Sequence, residues 1–208
     1  MALVIVTLGI LAAVFVLVRV EGQFRPRPMT MGLEQFFLTN PIRMRFFGPT
    51  QALVLLGPVA GLNVLEVGVG VGVILQDLAR RIGPKGKIAG LDIQPQAIER
   101  TRRRLASLGY APDLRLGTAS QLPWSDSCFD RVVLITMLGE VPANERVSAL
   151  REMARVLKPG GFGIVTEFWP DPHYIREPDL REYCRLAQLE VVDAYHTPML
   201  YSLRIEAH

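Results

Sequence analysis

The stretch Val64-Leu65-Glu66-Val67-Gly68-Val69-Gly70-Val71-Gly72, followed by Lys87-Ile88-Ala89-Gly90-Leu91-Asp92, decides how this chain is read. The first run has the composition of a buried strand that stops in a glycine-rich turn and feeds a helix. Glycine lets backbone pass close under a ligand because no Cβ stands in the way. The helix that follows begins with N–H groups that lack an intrahelical partner. The second run ends in a carboxylate, Asp92, twenty residues after Gly72. A carboxylate there can accept hydrogen bonds from both hydroxyls of a ribose. Together these features predict a module that binds a nucleoside-type cofactor.

The glycine spacing narrows the choice of cofactor. A dinucleotide fingerprint needs G-x-G-x-x-G, with the third glycine for close helix packing. Counted from Gly68 and Gly70 that place is Val73, and counted from Gly70 and Gly72 it is Leu75. The spacing is instead E-x-G-x-G-x-G from Glu66, which resembles motif I of class I S-adenosylmethionine-dependent methyltransferases. Further matches follow in order. Leu91-Asp92-Ile93 resembles the ribose-binding acid and the apolar residue that packs on adenine. Gly117-Thr118-Ala119-Ser120 and Leu122-Pro123-Trp124 resemble the loop bordering the adenine. Phe129-Asp130-Arg131-Val132-Val133 resembles the start of a fourth strand. Arg151 to Gly161 resembles the helix and tight turn before a fifth. The series is similar to the subgroup that contains ubiquinone and menaquinone biosynthesis methyltransferases, and it runs from about residue 60 to residue 207.

The resemblance implies a Rossmann-like, mostly parallel seven-stranded α/β sheet with helices on both faces, and S-adenosylmethionine as cofactor. It implies cofactor contacts from Glu66, Gly68, Gly70, Gly72, Asp92, Ile93, Thr118, Ala119, Ser120 and Thr136. Two positions depart from the pattern. Thr118 stands where relatives usually carry Asp, and a hydroxyl accepts a hydrogen bond from an amino group more weakly than a carboxylate does. Glu140 stands where relatives often place His. It is a candidate general base if the nucleophile must lose a proton, or a carboxylate that favours the dipole of a helix starting near Ala143. His173 and Tyr174 follow the fifth strand, on a loop of the kind that covers the acceptor in similar enzymes. They are the other catalytic candidates. The competing reading for both is a structural loop carrying Pro170 and Pro172.

Alternation of strands and helices independently argues for a parallel sheet covered on both faces. Strands are expected at Asn63–Val67, Lys87–Asp92, Leu114–Leu116, Arg131–Thr136 and Phe162–Glu167, with two more closing the chain. Helices are expected at Gly72–Ile82, Pro95–Leu108, Ala143–Leu157 and Pro178–Gln188. Asn40-Pro41 is a good helix start, and Pro49-Thr50 opens a second short apolar helix that ends at Gly57-Pro58.

Half of the 208 residues are hydrophobic, but the excess is uneven. Residues 2–18 carry no charge and as a helix would span about 25 Å, near the short limit for crossing a bilayer. A cleaved signal peptide would want a basic start and a small-residue cleavage site, and neither is present. Arg19, Arg25 and Arg27 follow the apolar run and none precedes it, which predicts a single-pass membrane anchor with the following domain in the cytoplasm. The expected organisation is an anchor over 1–20, a linker and helical lid over 21–58, and a cofactor-binding domain over 59–208. Five Arg against two Glu between Arg19 and Arg45 suit anionic headgroups beside that anchor. No aromatic-basic pattern points to nucleic acid. Cys128 and Cys184, with three histidines, have no metal-ligand spacing.

These features lead to the expectation of a membrane-anchored transferase that methylates a lipophilic small molecule, a quinone-like ring or a lipid. N-methylation of phosphatidylethanolamine is the alternative substrate reading. A non-catalytic cofactor-binding assembly partner is the alternative from another class.

Overall fold

The computed structural model describes residues 49–207. The expected anchor and most of the expected lid segment lie outside the described residues. Among the described residues no helix is long and apolar enough to cross a membrane.

The chain opens with a short helix α1 (Pro49–Ala52) and a 3-10 turn, Val54–Leu56. Five strands and four helices follow: β1 (Asn63–Val67), α2 (Val73–Ile82), β2 (Lys87–Asp92), α3 (Pro95–Ala106), β3 (Asp113–Leu116), β4 (Phe129–Ile135), α4 (Arg146–Val156), β5 (Leu157–Phe168) and α5 (Glu177–Leu186). A hairpin, β6 (Leu189–His196) and β7 (Leu200–Ala207), closes the chain. The seven strands form one sheet in the order β3-β2-β1-β4-β5-β7-β6. All pairings are parallel except those made by β7.

Each central strand is apolar on both faces, as a sheet covered on both sides requires. Leu65, Val67, Val132, Leu134 and Val165 pack beneath Leu150 and Met153 of α4 and Leu180 and Cys184 of α5. Val64, Val133, Ile135 and Ile164 pack on the other face, under Leu75 and Leu78 of α2, Ile98 and Leu105 of α3, and Ala52, Leu53 and Leu56. Sequence order runs outward from β1 to β3 in one direction and from β4 to β5 in the other. The crevice at the carboxyl ends of β1 and β4 is therefore the topological switch point, where open α/β sheets bind ligands.

Several element bounds differ from the sequence expectation for local reasons. The short apolar helix expected from Pro49 to Gly57 is broken at Leu53, whose φ of −107° and ψ of 19° leave the helical range. The helix expected from Ala143 begins only at Arg146, because Pro142 first opens a turn closed by Glu145 N–H to its carbonyl at 2.8 Å. Strand β5 begins at Leu157 rather than Phe162, since Leu157 already pairs with Phe129.

The segment before β1 is fastened to the sheet by one buried hydroxyl. Thr166 Oγ1 donates to Ala52 O at 3.0 Å, and lies 2.7 Å from Ser202 Oγ of β7. Replacing the hydroxyl with a methyl group strands two buried partners. Thr166→Val is expected to lower stability by about 1–3 kcal/mol, read as a shift in urea midpoint with unchanged m-value. A midpoint within error of the wild type would show that the segment is held by apolar contact alone.

Candidate active site

The glycine turn between β1 and α2 lies at the switch point. Gly68, Gly70 and Gly72 all have left-handed φ, of 82°, 50° and 76°. A side chain at Gly68 would strike Met137, and one at Gly72 would strike the Thr101 hydroxyl. The turn is held from beside it. Gly68 and Val69 N–H both donate to Leu91 O, at 2.8 and 3.0 Å, and Gly70 N–H donates to Asp92 Oδ2 at 2.9 Å. From α3, the fully buried Thr101 donates its hydroxyl to Gly70 O at 3.1 Å. Sequence reasoning missed Thr101. Its one signal is a small polar residue on the apolar stripe Ala97-Ile98-Thr101-Leu105.

This arrangement differs from a phosphate cradle. Amides that would face a pyrophosphate are instead occupied by the end of β2, and the ionisable groups beside the turn are carboxyls. Glu66 is 2% exposed, and one of its oxygens accepts the Leu75 N–H at the start of α2. Among the described residues its Oε2 has no hydrogen-bond partner. Burial, reinforced by the Asp92 charge, holds its carboxyl well above the usual carboxylate range. Asp92 Oδ1 accepts Gln94 N–H at 2.9 Å, and burial raises its pKa despite these bonds. A buried carboxylate oxygen without a donor is costly and rare, and here it suits a ligand that brings a cation. The α-ammonium and sulfonium of S-adenosylmethionine meet that condition, and the free lone pairs of Asp92 suit a ribose. The residues fit the cofactor.

On the far side of Asp92, Ile93 and Leu116 are both more than half exposed, apolar residues at the ends of neighbouring strands. They offer a surface for a flat base. Gly117 N–H clips the next loop to Asp92 O at 3.0 Å. Of the three loop residues expected at the cofactor, Thr118 is exposed. Ala119 packs its methyl into the core, and Ser120 donates its hydroxyl to Glu145 Oε2 at 2.7 Å. Thr118 is thus the most exposed of the three side chains, while those of Ala119 and Ser120 also anchor the loop.

At the end of β4, Thr136 lies just past the strand with a φ of 50°, an uncommon conformation for a β-branched residue. Its N–H donates to Thr166 O at 2.8 Å. Glu140 closes the 3-10 turn Leu138–Glu140. The expected alternative, a helix-start carboxylate, is corrected: α4 starts six residues later, at Arg146. Arg146 fastens the turn through Gly139 O and Val141 O. The β5–α5 loop packs on the same turn, with His173 O so close to Gly139 that no Cβ could fit between. His173 is nearly buried and its N–H donates to Asp171 Oδ1 at 2.8 Å. Tyr174 sets its ring edge-on to Tyr201, centroids 5.9 Å apart. Glu140, His173 and Tyr174 therefore gather at the ends of β4 and β5. They do so around Glu167, a buried carboxyl that the sequence did not single out. No cluster that could hold a metal ion is present among the described residues.

The raised pKa of Glu66 has a sign that can be tested without ligand. A carboxyl that binds its proton more tightly when folded contributes stability at low pH and loses it as pH rises through the folded pKa. Glu66→Gln removes that loss. The difference in Tm between Glu66→Gln and the wild type should grow in the variant's favour as pH rises above the usual carboxylate range. A difference independent of pH would mean that Glu66 is ionised at no cost.

Residues 64–161 match the methyltransferase domain family. A ubiquinone/menaquinone biosynthesis C-methyltransferase of Hahella chejuensis is 36% identical over 111 residues, covering 52% of this chain and 44% of that protein. Its counterpart in Bordetella avium is 38% identical over 108 residues, covering 52% and 41%. The matched stretch is thus less than half the length of those relatives. Among solved structures, a SAM-dependent methyltransferase from Aquifex aeolicus superposes with a TM-score of 0.76 over 86% of this chain and 98% of that one, at 21% identity, a likeness of fold. The glycine turn and the two carboxylates lie within the matched residues 64–161, and that stretch of the chain carries a class I S-adenosylmethionine-dependent methyltransferase domain.

Proposed function

We propose that the chain transfers a methyl group from S-adenosylmethionine to a quinone-like ring, working at a membrane surface. The observation that carries the cofactor half is the orphaned, buried Glu66 Oε2 beside Asp92 at the switch point. Support for a ring acceptor comes from the relatives named for ubiquinone and menaquinone biosynthesis. Exposed apolar side chains at the β5 and β7 ends, Trp169 and Met199, joined by Trp169 N–H to Met199 O at 2.8 Å, suit an apolar ring. The uncharged run of residues 2–18 supports a membrane setting for such an acceptor.

The chemistry asked of the protein is modest. The sulfonium is already activated, so the chain's residues mainly align the acceptor with the methyl group and exclude water. Glu66 holds the amino-acid end of the cofactor and Asp92 its ribose. Exposed Ile93 and Leu116 support its base, and Thr118 contacts the edge. In this reading Glu140, His173 and Tyr174 border the acceptor.

The test supplies the full-length protein with methyl-labelled S-adenosylmethionine and either a prenylated hydroquinone lacking the ring methyl or phosphatidylethanolamine vesicles. Label in the hydroquinone is expected. Label only in phosphatidylethanolamine would replace the ring acceptor with an amine, and label in neither, with cofactor bound, would overturn the reading. Asp92→Ala should weaken cofactor binding about 100-fold, as expected for two hydrogen bonds to a charged group, measured by calorimetry. Unchanged affinity would remove Asp92 from the site.

A further inference from the structure

Glu66 is not the only buried glutamate with an orphaned oxygen. Glu167, near the end of β5, is 1% exposed, and among the described residues its Oε1 has no hydrogen-bond partner. His173 Nδ1, buried in the loop that follows, has none either, and stands 3.7 Å from Asp171 Oδ1. The remaining Glu167 oxygen accepts Ile175 N–H at 3.2 Å, while Tyr201 donates its hydroxyl to Ile175 O at 2.7 Å. Native interiors pair nearly all their buried polar atoms. Two orphans, one near the end of β5 and one in the loop that follows it, at the strand ends where this fold binds ligands, point to a group that arrives with its own donor and acceptor. A hydroxyl has both.

We propose that Glu167 is the general base that takes the proton from a ring hydroxyl of the acceptor, with His173 as its neighbour in the same subsite. The inference rests on the ring-acceptor reading above and deepens it. The O–H bond breaks and its proton passes to the Glu167 carboxylate. The oxygen's electron pair moves into the ring, a ring carbon forms the bond to the methyl carbon, and the C–S bond breaks with its pair left on sulfur. The ring carbon then releases its hydrogen as a proton to water, while Glu167 returns its own proton to the oxygen. The sum is methylated ring, neutral thioether and one proton.

The surroundings suit that task. Asp171 from the loop and Glu140 from the 3-10 turn place negative charge toward Glu167, and Arg146 of α4 only partly offsets them. Burial and these charges make the carboxylate a stronger base than an exposed glutamate.

A purely structural role, holding Ile175, is the rival account. Glu167→Gln separates the two, because the amide oxygen can still accept Ile175 N–H while the NH₂ group cannot take a proton. The measurement is label transfer to the prenylated hydroquinone across a range of pH, with cofactor affinity determined in parallel. The wild-type rate should rise with pH as Glu167 ionises. In Glu167→Gln, kcat should fall about 100-fold or more, the low end of what a general base contributes. That rise should vanish, cofactor affinity should stay within twofold, and Glu167→Asp should recover part of the rate. A Gln variant with near-wild-type kcat and the same pH profile would overturn the proposal. If Glu167→Gln fails to fold, His173→Ala decides instead: unchanged kcat and KM would overturn the subsite, and a raised KM would support it. A wild type that binds cofactor yet labels no hydroquinone would overturn the ring-acceptor reading, and this inference with it.

Discussion

The interaction on which the site depends is the seating of the glycine turn on the end of β2. Two amides share the Leu91 carbonyl and a third is held by the Asp92 carboxylate. These bonds fix the turn against β2, and the close packing around it follows. Gly90 must lack a side chain, because Val69 of the turn packs where its Cβ would stand. Gly72 must lack one because Thr101 reaches across from α3. The turn is therefore a rigid wall of the crevice rather than a flexible loop closing on a ligand.

That wall has a chemical consequence. A Rossmann-type turn that binds pyrophosphate directs free amides and a helix dipole at an anion. Here three turn amides are already bonded and two carboxyls face the crevice. The same strand–turn–helix topology therefore selects a cation in place of an anion. Burying two carboxyls side by side opposes folding. A positively charged ligand placed against them would relieve that cost and stabilise the fold by mass action.

The second glutamate repeats this logic on the opposite face of the sheet. Glu66 shares its face with Val64, under α2, whereas Glu167 shares its face with Val165, under α4 and α5. In the proposed reading, cofactor and acceptor chemistry reach the crevice from the two layers. The β4–α4 turn, fastened by Arg146 and pressed against His173, lies between them.

The sequence by itself determined the strand–turn–helix at residues 63–82, the carboxylate at Asp92 and the alternation that makes a parallel sheet. These are local signals: apolar runs, glycine spacing and a strand-terminal acid are set by neighbours along the chain. It did not reveal Thr101, whose role exists only because α3 crosses the turn, nor Glu167, which reads in sequence as one more strand-end carboxylate. It also could not distinguish Ala119 and Ser120, occupied by the core and by Glu145, from the exposed Thr118. Those distinctions belong to the tertiary structure. Burial, and the number of partners left for each polar atom, depend on which distant elements pack together, and no spacing along the chain encodes that.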